Sequence, residues 1–265
     1  MTDGKTKTVL VITAHPADAF DLAAGTIALH RQRGDQVHVA SVTHGARSHA
    51  PSIYDDKQEA LDEAREAQLL QEIIQEKKQE FEAAARAVDA TATHFLGEDD
   101  EPFVTTRRVI LRLAELYRTV RPDILITHHR TEQNHHDHPE VGDASARAIV
   151  TAARWLEGSR LEPYDVPTVY YYGTQDRRDV RINRGTVGVA ATHVVDIESV
   201  VDQKREALKA FATQKYQGKG YATPEYLNRR LESVEGHYGL FSGCRYAEEF
   251  IARGPHVTRL LPSVR

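Results

Sequence analysis

The sequence is poor in residues that staple or anchor a chain. Its single cysteine, Cys244, rules out an intrachain disulfide framework and a cysteine-built zinc site. Any metal must therefore rely on imidazole and carboxylate ligands, and Cys244 reads as a structural residue of the C-terminal region. No apolar run approaches the ~18 residues of a membrane span. The short run Thr8–Thr13 ends in His-Pro rather than in a signal-peptide cleavage pattern. Neither sign of charge dominates, since 34 Lys and Arg stand against 39 Asp and Glu. That balance argues against a nucleic-acid or membrane partner and points to a cytoplasmic protein acting on a small molecule. No internal repeat and no composition break marks a linker. One domain over residues 1–265 is expected, with a less regular C-terminal third.

Of the 265 residues, 40% are hydrophobic and 28% charged, enough for a sizeable core without staples. Thr8–Thr13 reads as a buried parallel strand, followed by a loop over 14–21 and a helix over 22–33 that Gly34 ends. A second strand spans 36–42. A long charged helix over 54–88 shows apolar residues near helical spacing, among them Leu69, Leu70, Ile73, Ile74 and Phe81. Its polar face is mostly solvated and suggests a homo-oligomer contact. Strands follow at 91–96, 123–127, 168–172 and 193–197, with helices over 105–120, 139–156 and 199–213. Tyr170, Tyr171 and Tyr172 read as strand packing. This alternation predicts a Rossmann-like α/β fold, a mostly parallel sheet with helices on both faces.

In such a sheet, ligands bind outside the carboxyl ends of the strands. Two segments at strand ends hold unusual residues. The first is Ala14-His15-Pro16-Ala17-Asp18-Ala19-Phe20-Asp21. The second, His128 to His138, holds five of the chain's 14 histidines. A catalytic divalent ion commonly takes three imidazole or carboxylate ligands and keeps a position open for water. His15 and Asp18 supply two such groups from one segment, and His138 can complete the set from the other. Asp137 or another carboxylate can then hold a ring N–H. A plain dinucleotide binder is excluded, because His15-Pro16 stands where Gly-x-Gly-x-x-Gly would turn.

With these residues in view, the chain resembles the PIG-L, or LmbE-like, family of zinc-dependent N-deacetylases. The family opens on Ala-His-Pro-Asp-Asp-Glu and later carries His-x-Asp-His. Here these stand as Ala14-His15-Pro16-Ala17-Asp18-Ala19 and His135-His136-Asp137-His138. Weaker matches lie at Thr43–Arg47, Glu80–Ala84, Phe95–Asp100, Lys204, Ala207, Gln214 and Tyr246–Phe250. The resemblance implies His15, Asp18 and His138 as ligands of Zn2+ or another divalent metal. It implies His135 as the histidine that assists a tetrahedral intermediate, Asp137 as the motif carboxylate, and Arg47 and Asp100 as residues near the substrate.

Ala17 departs from the pattern, for it stands where the family has its Asp general base. Asp21, Asp137 and His136 are the candidate substitutes. A branch of the same superfamily, the 4-oxalomesaconate hydratases, is similar here and also carries His-x-Ala-Asp. Two reactions follow from the resemblance. Hydrolysis of an N-acyl bond is placed first on family grounds. Hydration of an unsaturated carboxylate, with Arg47 or Arg130 pairing the carboxylate, is the alternative that Ala17 suits better. A site that binds metal or ligand without turnover is the third reading. His237 and Tyr238, in a glycine-flanked segment, are candidates to reach the site from the tail.

Overall fold

The computed structural model describes residues 5–49, 63–132, 135–156, 158–173, 191–216, 219–220 and 223–254. Its elements run β1 (Thr8–Thr13), α1 (Asp18–Gln32), β2 (Gln36–Thr43), α2 (Ala46–His49), α3 (Glu63–Ala87), β3 (Ala92–Glu98), α4 (Arg107–Val120), β4 (Ile124–Thr127) and α5 (Asp137–Ala152). Then come β5 (Thr168–Tyr172), β6 (His193–Asp196), α6 (Val201–Lys209), the ribbon β7 (Lys215–Tyr216) and β8 (Lys219–Gly220), α7 (Pro224–Ser233), α8 (Glu235–Ser242) and β9 (Ala247–Ala252). Residues 54–62, expected at the start of the long helix, lie outside the described residues.

Seven strands form one sheet in the order β3-β2-β1-β4-β5-β9-β6. The first five pair in parallel, and β9 runs antiparallel to both neighbours. The alternation of a strand buried on both faces is plain in β1. Val9 and Val11 pack beneath α1 and α3 with Phe20, Phe81 and Leu208. Leu10 and Ile12 pack beneath α4 and α5 with Leu113, Tyr117 and Val141. Each of these side chains contributes about 1.5–3 kcal/mol by leaving water. Among the described residues, no helix is long and apolar enough to cross a membrane.

Strand order reverses at β1, whose neighbours are β2 and β4. This is the crevice where an open α/β sheet places its ligands. Both helices that open there begin earlier than the apolar pattern suggests. Helix α1 starts at Asp18, not residue 22, with Asp18 and Asp21 in its first turn. Helix α5 starts at Asp137, not Pro139. Carboxylates suit the positive end of a helix, and the proline loses nothing where N–H groups have no intrahelical partner. Gly142 lets α5 come close to the segment leaving β4. A Cβ there would stand 2.7 Å from the His128 carbonyl oxygen.

The segment 246–250, read only as ordered, feeds the antiparallel strand β9, and residues 224–242 form two helices. Alternating apolar spacing is weak in AEEFIA, because Glu248 is buried in it. Glu248 accepts from Gly25 N–H (3.0 Å), Thr26 N–H (2.8 Å), the Thr26 hydroxyl (2.7 Å) and Lys204 Nζ (2.6 Å).

Candidate active site

The end of β1 and the first turn of α1 place two ligand groups together. His15 is fully buried, and its backbone N–H donates to Asp18 Oδ2 over 2.8 Å. Its ring nitrogens face two carboxylates: Nδ1 lies 3.2 Å from Asp18 Oδ2, and Nε2 lies 3.1 Å from Asp137 Oδ2. His138 repeats the arrangement. Its Nε2 lies 3.3 Å from the same Asp18 oxygen, and its Nδ1 is bonded to Glu132 Oε2. Asp18 therefore stands between two imidazoles, and each imidazole is backed by a carboxylate of its own. The His15 and His138 ring centroids are 5.3 Å apart, near enough for both to reach one ion.

The backing groups are themselves held. Asp137 is fully buried and accepts Phe103 N–H (2.7 Å) and Glu101 N–H (3.1 Å). His128, at the end of β4, is also fully buried. Its Nε2 accepts Ala14 N–H at 3.1 Å and lies 3.6 Å from Asp18 Oδ2. Its Nδ1 is 3.3 Å from Glu132 Oε2 but off the line of a hydrogen bond. The ring stacks on His138 at 4.2 Å and meets the edge of Tyr172 at 4.9 Å. The tyrosine run is strand packing at Tyr172, whose hydroxyl donates to Ile12 O.

Charge in this cluster is strongly coupled. Burial opposes the protonated form of His15, but Asp18 and Asp137 outweigh it and hold its pKa up at about 9. Burial likewise opposes protonation of His138, and Asp18 and Glu132 raise it to about 10. Against burial, His138 and His15 keep the Asp18 carboxyl well below the ordinary range. Glu132 is lowered in the same way by His128 and His138. Asp137 is brought to about 2, where His15 and the backbone N–H groups of Phe103 and Glu101 overcome burial. Three carboxylates, Asp18, Asp137 and Glu132, thus face the rings of His15 and His138. The donor set of His15, Asp18 and His138, two imidazoles and a carboxylate, fits a borderline metal such as zinc.

His135 completes the wall. Its ring lies 4.6 Å edge-on from His15, its Nε2 is 3.1 Å from Glu101 Oε2, and its Nδ1 accepts Asp137 N–H at 3.2 Å. Burial, then the neighbouring charges of His15 and His138, depress its pKa. His136 is half exposed beside Glu101 and Asp137. Asp100 is buried next to these groups; it accepts Ser48 N–H (2.7 Å), the Ser48 hydroxyl (2.6 Å) and Arg47 N–H (3.2 Å), and it faces His44 Nδ1 at 2.8 Å. Gly45 carries this segment past Pro16 at a left-handed φ of +66°, where a Cβ would sit 2.6 Å from the Pro16 ring. Arg47 Nε donates to Asp99 Oδ1 over 2.7 Å at the rim.

Four of the residues singled out in the sequence point elsewhere. The Asp21 carboxylate pairs with Arg230. Arg130 is largely exposed, 3.6 Å from Asp143 on α5. Tyr238 is buried, with Glu235 and Glu248, around a cavity of about 10 Å³ beneath α8, and His237 packs edge-on against Phe241. Conversely, His128, Glu132, Glu101 and Ser48 enter the site without having been singled out. Glu132 lies inside the histidine-rich segment, so a search for a carboxylate able to back His138 would have found it. Nothing in the spacing marks Glu101 or Ser48.

Comparison with known proteins gives this fold and site a class. The chain belongs to the PIG-L family, the GlcNAc-PI de-N-acetylases, whose pattern matches residues 10–149. Among its relatives is the 4-oxalmesaconate hydratase of Pseudomonas putida, 26% identical over 96% of this chain and 92% of that one. Another is the probable N-acetyl-alpha-D-glucosaminyl L-malate deacetylase 2 of Bacillus subtilis, 29% identical over 78% of this chain and 82% of that one. The crystal structure of GalB, the 4-carboxy-2-hydroxymuconate hydratase of P. putida KT2440, shares the fold. Its TM-score is 0.76 at 24% identity, covering 97% of this chain and all of that one.

Proposed function

We propose that the protein is a metal-dependent enzyme that activates water to hydrate, or dehydrate, a C=C bond conjugated to a carboxylate in a small molecule. Ala17 carries the choice of reaction. It is 4% exposed and packed in the core beneath α1, so its position offers no proton acceptor. The buried carboxylates of the site are already committed: Asp18 to His15 and His138, Asp137 to His15 and backbone N–H groups, Glu132 to His138, and Asp100 to Ser48 and His44. An amide hydrolase without a general base gives up ~10²–10⁴-fold in rate. The likeness to 4-oxalmesaconate hydratase over nearly the whole chain supports the same choice.

His15, Asp18 and His138 would hold the ion, zinc in the first instance and another divalent metal otherwise. When bound, it supplies Lewis acidity and lowers the pKa of water. Asp137 and Glu132 fix the ring orientations of His15 and His138. His135, whose Nε2 faces Glu101 Oε2, is the imidazole placed beside the ligand set to exchange a proton with substrate, directly or through Glu101. Arg47 at the rim is the cation for a substrate carboxylate. Asp100 holds the Arg47–Ser48 backbone in place. His136 flanks His135 at the mouth, and Asp21 has a structural part through Arg230.

A second reading, hydrolysis of an N-acyl bond, is favoured by family membership and by His135. Its ring stands 4.6 Å edge-on from His15, beside the ligand set, where a donor can assist a tetrahedral intermediate. The test is a pair of assays on zinc-loaded protein. Hydration predicts loss of ultraviolet absorbance from an unsaturated di- or tricarboxylate. Amine release from N-acetyl amino sugars, without that loss, would transfer the assignment to hydrolysis, and neither signal would leave a binding protein without turnover. We place the enzyme in the cytoplasm. The largely exposed helix α3 is the face on which copies of the chain would pair.

A further inference from the structure

Beside the ligand set described above lies a second group of donors that shares no residue with it. The ligand atoms of Glu101, His135 and His136 all lie within 4.8 Å of one another. The His135 and His136 rings stack, with centroids 4.6 Å apart and planes inclined by 22°. Stacking turns both Nε2 atoms toward one carboxylate: His135 Nε2 is 3.1 Å from Glu101 Oε2, and His136 Nε2 is 3.5 Å from Glu101 Oε1. Two imidazole nitrogens and a carboxylate converging from one side form a donor set suited to a borderline divalent cation. The side chains of Glu101, His135 and His136 are 41%, 21% and 53% exposed, which leaves the remaining coordination positions to water.

We propose that Glu101, His135 and His136 form a rim site for a second divalent cation, and that filling it stops the reaction. The inhibitory part rests on the role given to His135 in the proposed function; the binding part does not. A cation at the rim takes His135 Nε2, the atom that would otherwise exchange a proton with substrate, and places positive charge across the mouth of the crevice.

The rim site is weaker than the inner one for two structural reasons. The side chains of His15 and His138 are 0% and 11% exposed, against 21% and 53% for His135 and His136, so water competes more strongly for the rim site. In addition, His135 Nδ1 accepts Asp137 N–H. With a cation on Nε2, Nδ1 must carry the ring proton, so that 3.2 Å bond is given up and the proton turns toward Asp137 Oδ2, 3.9 Å away. Missing outer partners of this kind typically lower affinity about 10- to 100-fold.

Isothermal titration of the metal-stripped full chain with zinc, repeated with cobalt, tests the proposal. Two classes of site are expected, one ion each, the second about 10- to 100-fold weaker. Glu101→Gln and His136→Ala, both changes at partly exposed side chains, should each abolish the weak class and keep the tight one. Asp18→Ala should do the reverse. In the wild type, zinc beyond one equivalent should suppress turnover over the range in which the weak class fills, and Glu101→Gln should lose that sensitivity whatever its own rate. A single class of site, or a weak class untouched in both variants, overturns the rim site even if the enzyme hydrates its substrate as proposed. Two classes with no turnover on any substrate would keep the rim site and remove the reaction.

Discussion

His15 Nε2 stands 3.1 Å from Asp137 Oδ2, joining the end of β1 to the first turn of α5 across 122 residues of sequence. Asp137 is acceptor to the ring and to two backbone N–H groups at once, so its charge and its shape can be separated by mutation. Asp137→Asn keeps the shape and loses the charge that orients His15. We expect metal affinity to fall about 10- to 100-fold with the fold intact, measured by competition with a chromophoric chelator. Glu132→Gln should act in the same way through His138. Unchanged affinity in both would show that the two carboxylates do not support the ligands.

Direct removal of a proposed ligand is the harsher change. Asp18→Ala leaves two buried imidazoles that its carboxylate had joined. Turnover should vanish and elemental analysis should find the inner ion lost. Wild-type turnover in Asp18→Ala would move the active site elsewhere.

Ala17→Asp tests the reaction itself. The substitution brings a carboxylate to the place where deacetylases of this family carry their base. Hydration should fall while slow amide hydrolysis appears, read by amine release from an N-acetyl amino sugar. If neither activity changes, position 17 has no bearing on the chemistry.

The buried ammonium of Lys204 supports α1 from the far side of the site. It meets Glu248 at 2.6 Å, Glu235 at 3.0 Å and the Asp21 carbonyl at 2.8 Å. Removing one partner strands the others without water. Lys204→Met should therefore cost about 3–5 kcal/mol in denaturant unfolding. A loss below about 1 kcal/mol would mean that water replaces the ammonium.

Acid stability has a separate source. Asp35 is buried beside Arg33, His30 and the Lys7 N–H; burial raises its pKa, but these partners outweigh it and lower it on balance. Because the folded value lies below the unfolded one, the carboxylate stabilises the fold above its unfolded pKa. That stabilisation fades as pH falls through the folded value. Asp35→Asn should be less stable at pH 7 by about 1–3 kcal/mol, and the gap to wild type should close as pH falls below the ordinary aspartate range. A gap independent of pH would trace the loss to packing.

Much of this arrangement was legible because strands buried on both faces announce themselves. Thr8–Thr13 and 123–127 read as strands without ambiguity, and the residues following them carry the histidines. Helix starts were less legible. At Asp18 and Asp137 the residues that open each helix are polar site residues, so the apolar period begins a turn late. The C-terminal elements were hidden for a related reason. Glu248 sits in β9 yet is buried by bonds to α1 and Lys204, and a charged residue in an interior strand defeats any reading by hydropathy. Glu101 was invisible because its place depends on the Asp137 carboxylate taking its N–H from 36 residues away.

The antiparallel strand β9 has a consequence for the order of biosynthesis. Residues 247–252 leave the ribosome after every other described strand, yet they slot between β5 and β6 and deliver Glu248 to the amides of Gly25 and Thr26. A nascent chain can assemble the five parallel strands early. The helix that bears Asp18 stays without its buttress, and β6 without a neighbour, until residues 247–252 have been made.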